Sequence, residues 1–435
     1  MPREDHRRRT TARPVPRRAP AGQAAPSRAQ RLLAAGATVG FWAAIVIVIA
    51  GSIGAAGVAL GQGDSGALEL RAPRLVALGA PVALRGSGAH PGERVVAEFR
   101  DAGGGWRRAG ETRADDAGRF AVAARPPGAR RRVVARARTS GGTASPPVSV
   151  RARPITLAAV GDINLGDGPG EAIAAHGPAY PWQRIGRSLR AADVALGNLE
   201  CAVSRRGSPQ AKQFTFRGDP GALRAMRRVG GLDVVGLANN HAGDFGRGAL
   251  LDTMRHVRRA GILPFGAGRD APAAVRPVVV ERLGLRIAFV GFSEVLPAEF
   301  AAGPGRAGTS WATDHAVAAG VRAARHRADV VVATFHWGIE LQTQPTERQR
   351  ALARAALAAG ADAVIGAHPH VLQPTERAGR RLTAYSLGNF VFSAHSPGTT
   401  ATGILHLRLS ARGVEAARMQ RARIEGVRPV PAASA

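Results

Sequence analysis

From residue 154 onward, short apolar runs alternate with longer Ala- and Arg-rich stretches, and most of those runs end in a knot of Asp, Asn, Glu or His. That order constrains the fold more than any other property of the chain. Short apolar runs rich in β-branched residues read as buried strands, and the amphipathic stretches between them as helices. Strands are expected at 155–160, 193–197, 233–238, 287–292, 329–335 and 362–367, and helices at 182–191, 221–229, 246–260, 314–327 and 346–358. Strand–helix–strand repetition over this length implies an α/β fold, a largely parallel sheet with helices on its faces. Aspartates open four of the strands, at Asp193, Asp233, Asp329 and Asp362, which reads as repeated loop chemistry.

In parallel α/β sheets, ligands bind outside the carboxyl ends of the strands. Those ends carry Gly161-Asp162-Ile-Asn164, Gly197-Asn198-Leu-Glu200, Asn239-Asn240-His241-Ala-Gly-Asp244, His336-Trp337-Gly338-Ile-Glu340 and His368-Pro369-His370. Oxygen and imidazole donors are thereby aimed at one edge, a set that suits a divalent transition metal such as Mn, Fe or Zn. The candidate metal ligands are Asp162, Asn198, Glu200, Asn240, His241, His336, His368 and His370. A bridging carboxylate with several histidines can hold two ions roughly 3.5–4 Å apart and clamp a phosphoryl group or activate a water. A single ion, or none, also fits these residues. In a hydrolase, His241 or His336 would handle protons, and Arg217 or another cation would bind a substrate anion.

Plainer readings stand beside these. Asp162 could cap a turn, Asn198 and Glu200 could brace a loop, and the asparagines could form Asx turns. Asp244 is expected as the N-cap of the 246–260 helix rather than as a ligand, and Trp337 as a wall. His176, His256, His315, His326 and His395 are expected at the surface. The lone cysteine, Cys201, excludes an internal disulfide and any multi-thiolate metal site, and is expected to be a packed thiol. No Ser–His–Asp signature surrounds Ser386 or Ser393.

Lys and Arg total 60 against 31 Asp and Glu, a net charge of +29, and Lys212 is the only lysine. With abundant Ala, Gly and Pro, that arginine bias points to GC-rich coding as much as to selected chemistry. Residues 1–31 hold nine arginines and two acids among Pro, Ala and Ser, and read as a disordered basic cytoplasmic arm. Residues 32–63 carry no charge, and 32–60 is long enough for a transmembrane anchor, for which about 20 apolar residues suffice. A cleaved signal peptide is the rival, although its apolar core runs only roughly 7–15 residues. Arginines ahead of the span put the remainder outside, giving a single-pass protein of the cell membrane with extracellular C-terminal domains. Residues 64–153 alternate with period two between Gly-rich turns, as in a small Ig-like β-sandwich or spacer; a disordered basic stalk is the alternative. Residues 154–435 form the α/β domain. No nucleic-acid reading motif occurs, and the anchor would remove the chain from the cytoplasm, so nucleic acid is not an expected partner.

The strand-end motifs, together with Gln373-Pro374 and Ser386-Leu-Gly388-Asn389-Phe390, resemble in order those of the CapA family of bacterial capsule proteins, over about 155–396. The resemblance implies a metallophosphatase-like layered α/β domain of the calcineurin type. It also implies a role in synthesis or export of an anionic capsule polymer such as poly-γ-glutamate, beside capsule synthase subunits. An extracytoplasmic metal-dependent hydrolase, phosphoesterase-like or polymer-cleaving, is the alternative. In that superfamily two metals are shared by an Asp, a bridging acid, an Asn-His pair, a lone His and a His-x-His. Those roles would fall to Asp162, Glu200, Asn240 with His241, His336, and His368 with His370. Two departures stand out: Asn164 where the superfamily has a histidine, and Asn198 with Glu200 where it has Gly-Asp-x-x-Asp. Both put the first metal position in question.

Overall fold

The computed structural model of the protein describes residues 67–432; the arm expected at 1–31 and the span expected at 32–60 lie outside them. Among the described residues, no helix is long and apolar enough to cross a membrane.

Residues 69–153 build two sheets, one of three strands and one of five. Val95, Ala97 and Phe99 face the shared core while the residues between them point outward, as a half-buried strand requires. The strands Leu75–Ala77 and Trp106–Arg113 add to those expected from alternation. Trp106–Arg113 is an edge strand with no fully buried residue, so it carries no alternating apolar signal.

Beyond residue 154 the expected strands form, but not in one sheet. Ile155–Ile163, Val194–Leu199, Val234–Gly236 and Leu263–Phe265 run parallel in one sheet. Leu285–Ser293, Val330–His336, Ala363–Ala367 and Arg381–Ala384 run parallel in a second. The two sheets pack face to face, and each is covered by helices on its outer face only. Period-two burial explains this. Ile155, Leu157 and Ala159 meet Ile287, Phe289 and Val332 of the other sheet. Ala158 and Val160 turn outward to Trp182, Leu189 and the helix Gly246–Arg259. Val290 and Phe292 likewise meet the helices Asp314–Arg325 and Glu347–Ala358. Strands apolar on both faces are satisfied equally by a helix layer or a second sheet, which is why a single sheet looked sufficient. Antiparallel strands complete both edges of the second sheet and one edge of the first, there through the long hairpin Ala401–Ser410 with Gly413–Glu425.

The four strand-opening aspartates have one shared task. Asp193 accepts from Thr156 N, Asp233 from Ala195 N, Asp329 from Arg286 N and Asp362 from Val331 N, all at 2.8–2.9 Å. Each thus ties down the first N–H groups of the neighbouring parallel strand. Arginines pair with them: Arg153 with Asp193, Arg282 with Asp233, Arg125 with Asp329 and Arg325 with Asp362. The β-sandwich docks at this same edge, through Ala77 N to Leu283 O and Ala411 N to Leu78 O. The carboxyl ends of the strands are left for the site.

A candidate metal centre at the strand ends

Asp162 and Glu200 are fully buried carboxylates at the ends of adjacent parallel strands. A buried carboxylate without donors is costly. Both carboxylate oxygens of Glu200 nonetheless lack a hydrogen-bond partner, as does the buried Nδ1 of His368. Orphaned acceptors converging on one point are what a cation site looks like before a cation is counted.

Two overlapping donor groups can be drawn, Asp162–Glu200–His336 and Glu200–His368–His370, each with its ligand atoms within 4.8 Å of one another. Glu200 belongs to both. His336 Nε2 lies 3.3 Å from Glu200 Oε1 and 2.8 Å from Asn240 Oδ1. Donors bound to one tetrahedral ion at about 2.1 Å sit about 3.4 Å apart, so this spacing suits a shared ion. Burial, then the nearby Asp162 carboxylate, pushes the Glu200 carboxyl well above its usual range. Burial, then the neighbouring histidines, pulls His336 well below its ordinary value and His368 down to about 3. Neutral imidazoles are the form that ligates a metal.

The His368-Pro369-His370 turn is strained. His368 has φ 97° and His370 φ 58°, in the left-handed region that costs a β-carbon-bearing residue about 1 kcal/mol or more. Strain of this kind collects at functional sites. His370 Nδ1 donates to Asn389 Oδ1 at 2.8 Å and lies 3.4 Å from Asp162 Oδ2. That leaves its Nε2 lone pair free, a tautomer fixed by the outer partner.

Asn198 reaches the centre as a hydrogen-bond donor. Its Nδ2 donates to Asp162 Oδ1 at 2.8 Å and lies 3.2 Å from His336 Nδ1, while its Oδ1 accepts from Asn239 Nδ2 at 3.2 Å. Asn164 turns away: its Oδ1 accepts from Gly166 N at 2.8 Å.

His241 falls outside both donor groups. Its Nδ1 donates to Asp244 Oδ2 at 2.7 Å and its ring stacks on Phe216 with centroids 4.0 Å apart. Asp244 is therefore not the N-cap that sequence suggested. Phe245 holds that position without a side-chain bond, because the carboxylate is drawn inward by Lys212 Nζ at 2.8 Å and Phe216 N at 2.7 Å. Lys212 also donates to Asn240 O at 2.9 Å, which fixes the Asn240–His241 turn. Sequence reasoning missed this role, although Lys212 was visible as the only lysine in an arginine-rich chain.

Arg217 is not a free anion anchor. Its guanidinium donates to Arg206 O and Gly207 O and lies over Phe245. Trp337 is a fully buried wall stacked on Phe335, and Cys201 is a packed thiol pushed up to about 12 by burial. His176, His315, His326 and His395 are exposed, and His256 is half-buried near Asp252.

Fold and site together define a layered α/β protein with a cluster of carboxylate and imidazole donors at its strand ends. The chain belongs to the family described as bacterial capsule synthesis protein PGA_cap, whose match spans residues 156–394. It is 32% identical over 257 residues to the PGA biosynthesis protein CapA of Bacillus subtilis (strain 168), covering 58% of this chain and 67% of that protein. It is 29% identical over 289 residues to the capsule biosynthesis protein CapA of Bacillus anthracis, covering 65% and 70%. Among solved structures, the NAD nucleotidase of Haemophilus influenzae aligns at 11% identity and a TM-score of 0.38, over 64% of this chain and 54% of that one.

Proposed function

We propose that the protein is a CapA-like accessory protein in the synthesis or export of an anionic capsule polymer such as poly-γ-glutamate. The family match over 156–394 carries this reading. In it, the uncharged segment 32–60 anchors the chain in the cell membrane, the domains that follow lie outside, and capsule synthase subunits are the partners. A binding assay on the full chain tests it. Affinity for poly-γ-glutamate should exceed that for polyaspartate or heparin and survive moderate salt. Equal binding of all three, vanishing together as salt rises, would leave only generic attraction between arginines and polyanions.

The donor cluster favours a second reading at the same site, a metal-dependent hydrolase of the metallophosphatase type. The carrying observation is the pair of orphaned Glu200 oxygens between Asp162, His336, His368 and His370. Asp162, Glu200, Asn240, His336, His368 and His370 would hold divalent Mn, Fe or Zn. When bound, such an ion supplies Lewis acidity to a carbonyl or phosphoryl group. The protein's own part is positioning. Asn198 braces Asp162, and Asn389 orients His370. His336 would be held to the ion through Nε2, with Asn198 Nδ2 3.2 Å from its Nδ1, so proton handling falls to His241, whose Nδ1 bond to Asp244 leaves Nε2 able to accept a proton.

A further inference from the structure

The β-sandwich lies outside the family match, and its five-stranded sheet turns one face away from the shared core. In Arg94–Arg100 that face is formed by the residues alternating with buried Val95, Ala97 and Phe99. In Arg132–Thr139 it is formed by those alternating with Val133, Ala135 and Ala137. Side chains directly opposite on neighbouring antiparallel strands share a face. By that register Arg113 stands beside Arg94, and Arg151 beside Arg132. Like charges directly opposite are destabilising, yet this sheet keeps both pairs.

The acids of the same face are already taken. Glu98 lies 2.7 Å from Arg136 Nε, and Glu111 pairs with Arg108. Arg100, Arg113, Arg132, Arg138 and Arg151 have no acidic partner among the described residues. At the edge strand, Trp106 carries two guanidiniums over its ring, Arg136 at 4.2 Å and Arg100 at 5.4 Å from the centroid. A coding bias toward arginine would charge both faces of the sandwich alike. Instead, the outward face of the three-stranded sheet carries Ala83, Ala121 and Ala123 beside Arg71, Arg85 and Glu69. The positive charge is concentrated on one sheet.

Strands about 4.8 Å apart, rising about 3.3 Å per residue, spread these guanidiniums over an area of about 15 by 20 Å. Such a spread matches a planar array of anions. Guanidinium pairs with phosphate oxygens bidentately, and an indole is at home at the level of lipid headgroups. The length of chain ahead of the sandwich supplies a second argument. Glu69 follows residue 60 by nine positions, a reach of at most about 32 Å. With 32–60 in the bilayer, as proposed above, that tether keeps the sandwich beside the membrane surface, where anionic lipids attract arginine. We infer that the arginine-bearing face of the five-stranded sheet docks on anionic phospholipid headgroups. The inference goes beyond the capsule reading and takes from it only the anchor at 32–60.

The test uses the full chain carrying Ser149→Cys, an exposed position on this face, labelled with a polarity-sensitive dye; Cys201 is buried and stays unlabelled. The protein is reconstituted with vesicles of phosphatidylcholine alone, or of equal parts phosphatidylcholine and phosphatidylglycerol. Emission should shift to the blue on the mixed vesicles, stay unmoved on the neutral ones, and revert as salt rises. Each arginine near an anionic surface adds to the attraction, so Arg138→Gln/Arg151→Gln should lower the docked-to-free ratio about tenfold or more. Arg71→Gln/Arg85→Gln removes the same charge from the other sheet and should match wild type. The inference is overturned by mixed vesicles that leave the dye unmoved, or by a control pair that weakens docking as much. An equal shift with soluble poly-γ-glutamate also overturns it, by making the face a general polyanion surface. Flotation with the neutral vesicles reports the anchor separately: a chain that fails to float sinks the anchor reading, while the dye still decides the face.

Discussion

Single residues at the site trade stability for readiness. His368 has φ 97° and a buried Nδ1 without a partner, two costs that a cation would offset. At an ordinary position glycine is less stable than alanine, because it loses more chain entropy on folding. At His368 the order should invert. Metal-free His368→Gly should be more stable than His368→Ala by about 1 kcal/mol, since only glycine relieves the left-handed backbone. Urea unfolding of both variants measures the difference, and Ala equal to or above Gly would mean that the turn stores no strain. Both variants should also lose any stabilisation that added Mn or Zn gives the wild type. Much of the first layer of the site was legible at this scale, because Asp, Glu and His after apolar runs are unusual. Its outer partners were not. Asp244 looked like a helix cap because Lys212 and Phe216, which draw it inward, lie about thirty positions earlier in the chain. Asn198 looked like a ligand because nothing in the sequence says which way an amide faces.

At the scale of elements, the strands were the clearest feature and their grouping the least clear. Val330–His336 and Ala363–Ala367 are apolar on both faces, so their strand character is plain from sequence, but the same pattern suits a helix or a second sheet as neighbour. The hairpin strand Gly413–Glu425 was hidden because Arg418, Arg421 and Arg423 interrupt it, and the helix Asp167–His176 because Gly and Pro open it. The aspartates that open four strands proved to be a tie between neighbouring strands. Burial alone would raise the carboxyls of Asp193 and Asp329. Arg153 with Thr156 N, and Arg286 N with Arg125, outweigh it and hold both below the usual carboxylate range. A folded-state pKa below the unfolded value contributes stability that is fully present above the unfolded value of about 3.9 and lost as pH falls through the folded one. Wild type should therefore lose more stability between about pH 5 and pH 2 than an Asp193→Asn/Asp329→Asn variant, as read from urea midpoints. Parallel acid profiles for the two proteins would contradict the tie.

Taken as a whole, the molecule separates its two edges. At the strand-opening edge, arginines pair with aspartates and the β-sandwich docks; at the opposite edge, carboxylates and imidazoles gather with Lys212 as the close cation. The excess of arginine in the composition is thus no guide to the chemistry of the site, which lies where arginine pairing is absent from the donor set. The central claim is that the carboxylate–imidazole cluster is a divalent-metal centre in a capsule-family protein. Elemental analysis of the full chain, loaded with Mn or Zn and then desalted, tests it most directly against a Glu200→Gln variant whose helical and sheet content is checked by circular dichroism. Glu200 belongs to both donor groups, so wild type should retain metal and the folded variant should lose it. Wild type that emerges metal-free, or a variant that holds as much metal as wild type, would contradict the account.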